Sequence, residues 1–205
     1  MSIVDFPECF MIYKWYNVFE EYTIKTKFYR LKQEILEYIN SSEFIYPSDY
    51  FAGMDSIETF KTIISKALKS LGGSAYIKLL WSSPKDSGWL CLNGRPIVDS
   101  FEDLCLVMAN SDNLINDFKM ISEGRIQHPN LALREPCEID ESLEFRCFIK
   151  DRQFVGCCQR NVDLFHQFLH DQKSDILKHI GDFIANRFLP KWKNEPSLIL
   201  DVFLR

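Results

Sequence analysis

One junction constrains this chain more than any other. From Ser56 to Leu71 the residues Ile57, Phe60, Ile63, Ile64, Ala67, Leu68 and Leu71 recur at helical spacing as a single apolar stripe. Ser56 is placed to cap that helix, and Gly72-Gly73 ends it. A short apolar strand, Ala75-Tyr76-Ile77-Lys78-Leu79-Leu80, follows at once, and then the polar, charged turn Trp81-Ser82-Ser83-Pro84-Lys85-Asp86. Lys78 is the one charge in that strand. It must either snorkel to solvent or meet an anion, and phosphate is the commonest biological anion for a compact ammonium with three donors.

The remaining elements read as helices mixed with hairpins, an α+β pattern. Thr23 to Lys27 is expected as a strand and Leu31 to Ile39 as a short helix. Ser100 opens a helix with Asp103 in capping position and Phe101, Leu104, Cys105 and Met108 inward. Strands are expected at Leu131–Arg134, Leu143–Lys150, Gln153–Gln159 and Leu198–Phe203, with Asp151-Arg152 as a two-residue turn that lacks glycine. An amphipathic helix from Ser174 to Phe188 turns Ile176, Leu177, Ile180, Phe183, Ile184 and Phe188 inward, and Pro190 closes it. The polar stretch from Gly124 to Asn130 divides a lobe of residues 1–125 from one of residues 126–205.

The 205 residues suffice for one substantial core or two lobes. A net charge of −5 argues against non-specific binding to nucleic acid or anionic membrane. No apolar run is long enough to span a bilayer, and the first fifteen residues lack the pattern of a signal peptide. Seven cysteines, odd in number and without a C-x-x-C pair, read as reduced thiols of a cytoplasmic protein. Cys157-Cys158 is a weak redox candidate, because neighbours on a strand face opposite ways.

Three places could carry chemistry. In the hairpin, a simple register pairs Lys150 with Gln153 and Arg146 with Cys157, putting Glu144, Arg146, Cys157 and Gln159 on one face. That face is either a phosphate grip or a solvated Glu–Arg pair. Arg160 falls on the opposite face in this register, and only a bulge or a strand end would turn it round. Asp201, in an apolar terminal strand, is either a magnesium ligand or a salt-bridged structural carboxylate. His166-x-x-x-His170 has the spacing of a helical metal pair but no third ligand nearby. No phosphate-cradling glycine motif occurs.

Taken in order, Lys78-Leu79-x-Trp81-Ser82-Ser83-Pro84-Lys85-Asp86, Leu131-x-Leu133-Arg134, Glu144-Phe145-Arg146-Cys147-Phe148 and Gly156-x-x-Gln159-Arg160 make the chain resemble the cell division cycle protein 123 family. Trp15-Tyr16-x-x-Phe19 followed by Thr23-Ile24-Lys25 is similar to that family's opening. The resemblance implies an ATP-grasp-like fold with ATP in a cleft between two lobes. It also implies a cytoplasmic assembly chaperone, expected as a monomer, that binds the gamma subunit of translation initiation factor 2 and promotes its joining to the alpha and beta subunits.

Carried over by motif, Lys78 contacts the nucleotide phosphates and the strand holding Ala132, Leu133 and Arg134 offers backbone groups to the adenine edge. Arg146 and Arg160, with Gln159 beside them, hold phosphate charge, and Asp201 ligates Mg2+. The chain departs from the family in three places. Asn161 replaces an aspartate, Glu135-Pro136 replaces Lys-Trp, and the Asp-Phe-Asn-Pro segment that completes the family's metal site is not in the sequence, which reads as C-terminally shortened. A binding protein is therefore the leading expectation, with the aromatic N-terminal segment as its partner surface. An ATP-grasp ligase acting on a carboxylate and a nucleotide-free scaffold are the alternatives.

Overall fold

Strand pairing far apart in sequence decides how this chain divides. In the computed structural model, which describes residues 7–40, 55–91 and 94–204, four antiparallel strands form one sheet. They are β1 (Thr26–Arg30), β2 (Ala75–Lys78), β3 (Ile97–Val98) and β4 (Asn130–Arg134), in the order β1-β4-β2-β3. β4 lies between β1 and β2 and pairs with both, Ala132 opposite Phe28 on one side and Lys78 on the other. The boundary consequently falls after Pro136, giving units Met1–Pro136 and Cys137–Arg205. The expected boundary at 125/126 is corrected, because it would tear the middle strand out of the first sheet.

One face of this sheet carries Ala75, Ile77, Val98, Leu131 and Leu133, all fully buried. They share a core with the apolar stripes of α2 (Gln33–Asn40), α3 (Asp55–Ser70) and α4 (Phe101–Ala109). Gly72 and Gly73 both take positive φ, so the turn from α3 into β2 uses the conformations that glycine permits. Ser100 caps α4 as expected, its hydroxyl accepting from the Asp103 N–H at 3.1 Å. Ser56 does not cap α3, since the helix already includes Asp55. β1 starts at Thr26, later than expected, because a 3-10 turn at Glu20–Tyr22 precedes it.

The opposite face of the sheet lies against α1 (Ile12–Phe19). Tyr16 and Phe19 are 3% and 6% exposed, Tyr16 packs edge-on against Phe28, and its hydroxyl accepts from the Thr26 N–H at 2.9 Å. These aromatics belong to the core, which corrects their assignment to a partner surface. Tyr16→Phe is expected to lower stability by about 1–2 kcal/mol, because a buried N–H loses its acceptor while the ring still packs. Urea denaturation of the two proteins reads this difference.

In the second unit β5 (Glu144–Lys150), β6 (Gln153–Gln159) and β7 (Leu198–Phe203) form an antiparallel sheet in the order β6-β5-β7. The hairpin turn has Asp151 at φ 49° and Arg152 at φ 62°, the left-handed pair of a type I′ turn. Tertiary bonds hold it without glycine. The Arg152 guanidinium donates to the Trp192 and Leu189 carbonyls, and the Asp151 N–H donates to the Ser197 hydroxyl. Phe145, Cys147 and Ile149 are buried on the inner face, and Ile176, Ile180, Ile184, Phe188 and Trp192 are the buried residues of the helical segment.

That segment runs past Pro190, contrary to expectation. The helix Lys173–Phe183 widens into a π turn at Ile184–Phe188, with the Leu189 N–H reaching Ile184 O, before Leu189–Lys191. Proline supplies no N–H and crowds the preceding turn; a wider turn ahead of it makes room for the ring.

Candidate functional site

In the second unit a single β-bulge sets the chemistry. Between β5 and β6, Ile149 pairs with Phe154 and Phe148 with Gly156, so Val155 has no opposite partner and the register shifts. Beyond it Cys147 faces Cys157 and Arg146 faces Cys158. A one-residue slip moves every later side chain to the other face. The Arg160 N–H bonds to Glu144 O at 2.8 Å, so Arg160 stands beside Glu144 on the Arg146 face, as only a bulge could bring about. Gln159 goes the other way, opposite Phe145. The expected face of Glu144, Arg146, Cys157 and Gln159 is corrected to Glu144, Arg146, Cys158 and Arg160.

On β7, Asp201 lies directly opposite Arg146. The Arg146 guanidinium grips the carboxylate with Nε to Oδ1 and Nη2 to Oδ2, both at 2.9 Å. Arg160 Nε approaches the same Oδ2 at 3.1 Å and Glu144 Oε1 at 4.0 Å. The Asp201 side chain is 35% exposed, so the expected burial of this strand position is corrected to a half-open surface. Partial burial pushes its pKa up, but the hydrogen bond from Arg146 and the charges of both arginines hold it below the usual carboxylate value. Asp201 is thus salt-bridged to both arginines in this structure.

In the first unit Lys78 and Arg134 project from the sheet face that carries Ala132. Lys78 donates to the Trp81 carbonyl. Burial first, and then the positive charges of Arg134 and Lys85, lower its pKa to about 8 against a partial counter-effect from Asp117. An ammonium held partly desolvated beside another cation favours an anion nearby. Arg134 Nη2 donates to the Thr23 hydroxyl at 3.3 Å. Ala132 and Leu133 are fully buried inside a ladder paired on both sides, so their peptide groups serve the sheet. The expectation that they meet an adenine edge is corrected. Peptide groups outside the ladder begin at Glu135, whose N–H bonds to Lys25 O.

Sequence reasoning missed Asp117, in the helix Ile115–Ser122. It is 2% exposed and accepts from the Leu80 N–H, the Ser82 N–H and the Ser82 hydroxyl at 3.0–3.2 Å. Its position between Leu114 and Ile121 on the inward stripe was the available signal, since a carboxylate there needs donors. Other polar groups of the turn after Leu80 bond to neighbouring segments of the first unit. The Ser83 hydroxyl donates to Ile77 O, and Asp86 accepts from the Ser111 hydroxyl and the Asn113 N–H.

His166 precedes the short helix Gln167–Asp171 that holds His170. Both line a concavity of about 450 Å³ together with Phe145, Gln159 and Leu164. Among the described residues no group of three His, Cys, Asp or Glu side chains could hold a metal ion. Nor is any helix among them long and apolar enough to cross a membrane.

Two α+β units, one with a half-buried lysine and the other with an arginine pair on a sheet face, make an ATP-grasp-like fold. The model of the D123 family matches residues 48–205, and the chain belongs to that family. A translation initiation factor eIF2 assembly protein of Xenopus tropicalis is 32% identical over 151 residues, which cover 70% of this chain and 45% of that protein. Its counterpart in Schizosaccharomyces pombe is 27% identical over 225 residues, covering 93% of this chain and 67% of that protein. The solved structure of Cdc123 from Schizosaccharomyces pombe matches with a TM-score of 0.79 and 26% identity, over 95% of this chain and 78% of that one. The chain thus spans less than half the length of the Xenopus relative.

Proposed function

We propose that this chain binds ATP with Mg2+ and acts in the cytoplasm as an assembly factor for translation initiation factor 2, engaging its gamma subunit. The observation that carries the nucleotide part is the bulge-driven placement of Arg146 and Arg160 around one carboxylate on one sheet face. A guanidinium has five N–H groups and Asp201 takes only those facing it, so phosphate oxygens suit the remainder. Lys78, in the first unit, is a separate candidate for phosphate contact, because an anion would offset the desolvation and the neighbouring charge of Arg134 that lower its pKa. Asp201 would hold the Mg2+, with phosphate oxygens completing the coordination. The metal would supply charge neutralisation to the bound phosphates.

Asp201→Asn tests this arrangement. The variant removes the carboxylate that neutralises Arg146 and shares Arg160 with Glu144, and with it the metal-holding group. Metal-free ATP is expected to bind it at least as tightly as the wild type, while Mg2+ no longer improves binding. A variant that keeps the full Mg2+ effect would remove Asp201 from the site.

The assembly role rests on the names of the relatives. Co-expression with the three subunits of the factor tests it. The expected result is a larger yield of the complete trimer and co-purification of the chain with the gamma subunit alone. Co-purification with the alpha or beta subunit instead would overturn the choice of partner.

A further inference from the structure

We propose that Cys147 and Cys157 are a modification site: a cross-strand dithiol that exchanges with a small-molecule disulfide, such as oxidised glutathione, to become an internal disulfide. Cys147 and Cys157 are directly opposite in the β5–β6 ladder. The bond from the Arg160 N–H to Glu144 O marks that pair as hydrogen-bonded, and alternation along an antiparallel ladder makes the pair three residues further a non-hydrogen-bonded one. Such pairs have Cα atoms about 4.5 Å apart, inside the range of about 4.4–6.8 Å that a disulfide spans. The two thiols are close enough that each shifts the titration of the other. Cys158, by contrast, is exposed on the other face opposite Arg146. The adjacent cysteines of the sequence are therefore not the redox pair; the register selects Cys147 for Cys157.

The chemistry balances with the oxidant named. The Cys157 thiolate, half-buried and so the more accessible, attacks one sulfur of oxidised glutathione and releases a glutathione thiolate. The buried Cys147 thiolate then attacks the Cys157 sulfur of the mixed disulfide and releases the second. Two protein thiols lose two electrons and two protons, and one glutathione disulfide becomes two glutathione thiols. Burial raises the pKa of both thiols, that of Cys147 to about 12, so exchange is slow at neutral pH and accelerates in mild alkali. The bridge would fix the spacing of the strands that carry Arg146 and Arg160.

Incubation of the protein with oxidised glutathione at mildly alkaline pH, followed by thiol blocking and non-reducing peptide mapping, tests the site independently of any nucleotide. A Cys147–Cys157 linkage is expected, retained in Cys158→Ser and absent in Cys147→Ser and Cys157→Ser. A rise of several degrees in Tm over the reduced protein should accompany it. A Cys157–Cys158 linkage, mixed disulfides with no internal bridge, or an unmodified Cys147 would each overturn the proposal. Cys157→Ser removes a half-buried thiol, so it serves as the control should Cys147→Ser fail to fold.

Discussion

Lys78→Met is expected to raise the unfolding free energy of the ligand-free protein by about 2 kcal/mol at pH 7 while weakening ATP binding at least tenfold. The native pKa near 8, against the 10.5 of an ordinary lysine, corresponds to about 3 kcal/mol of penalty for burying the charged amine. Methionine removes that penalty but leaves the Trp81 carbonyl without its donor, a loss of about 1 kcal/mol. The pH dependence separates this cause from ordinary packing. Below pH 8 both folded and unfolded chains hold the proton and the full penalty applies. Between pH 8 and 10.5 the folded chain releases the proton while the unfolded chain keeps it, so the wild type gains stability as pH rises. The advantage of the variant therefore shrinks through that window and is gone above it. Urea midpoints of both proteins at several pH values across this range read the difference, and a constant gap would rule out a lysine charged at a cost in the fold.

Asp117→Ala should cost about 3 kcal/mol, the largest loss expected from any single change considered. The carboxylate satisfies two backbone N–H groups and one hydroxyl at the Leu80–Ser82 turn, all three buried or half-buried. Its removal leaves those donors stranded. The loss is tempered because burial already raises the Asp117 pKa, which shows that the charge itself is held at a cost. Asp117→Asn keeps one acceptor oxygen and should fall between the two. The substitution also removes the nearest negative charge acting on Lys78, whose pKa should drop further. A loss below about 1 kcal/mol in denaturant titration would mean that the turn holds itself without Asp117.

Local chemistry was legible in the sequence and long-range pairing was not. The Ser100 cap, the glycine pair after α3 and the limits of β6 and β7 follow from residues adjacent to them. The Asp151-Arg152 turn was readable despite lacking glycine, but what stabilises it, Arg152 on the Trp192 and Leu189 carbonyls, comes from a distant segment. β4 was read as a strand and assigned to the wrong unit, because only its partners β1 and β2 say where it belongs. Tyr16 looked like an interface aromatic because its partners Thr26 and Phe28 lie on another element. The arginine site turned on one residue. Without the bulge at Val155, Arg160 points away from Arg146 and Gln159 joins it; with the bulge the two exchange faces. Nothing in the run Phe154-Val155-Gly156 announces an unpaired residue except the glycine next to it.

Calorimetric titration of Mg2+–ATP into the wild type and Arg160→Met, each verified as folded by circular dichroism, tests most directly whether the arginine face of the second unit holds the nucleotide. A weakening of tenfold or more in the variant is the predicted result. Wild-type affinity in Arg160→Met would show that this face takes no part in nucleotide binding.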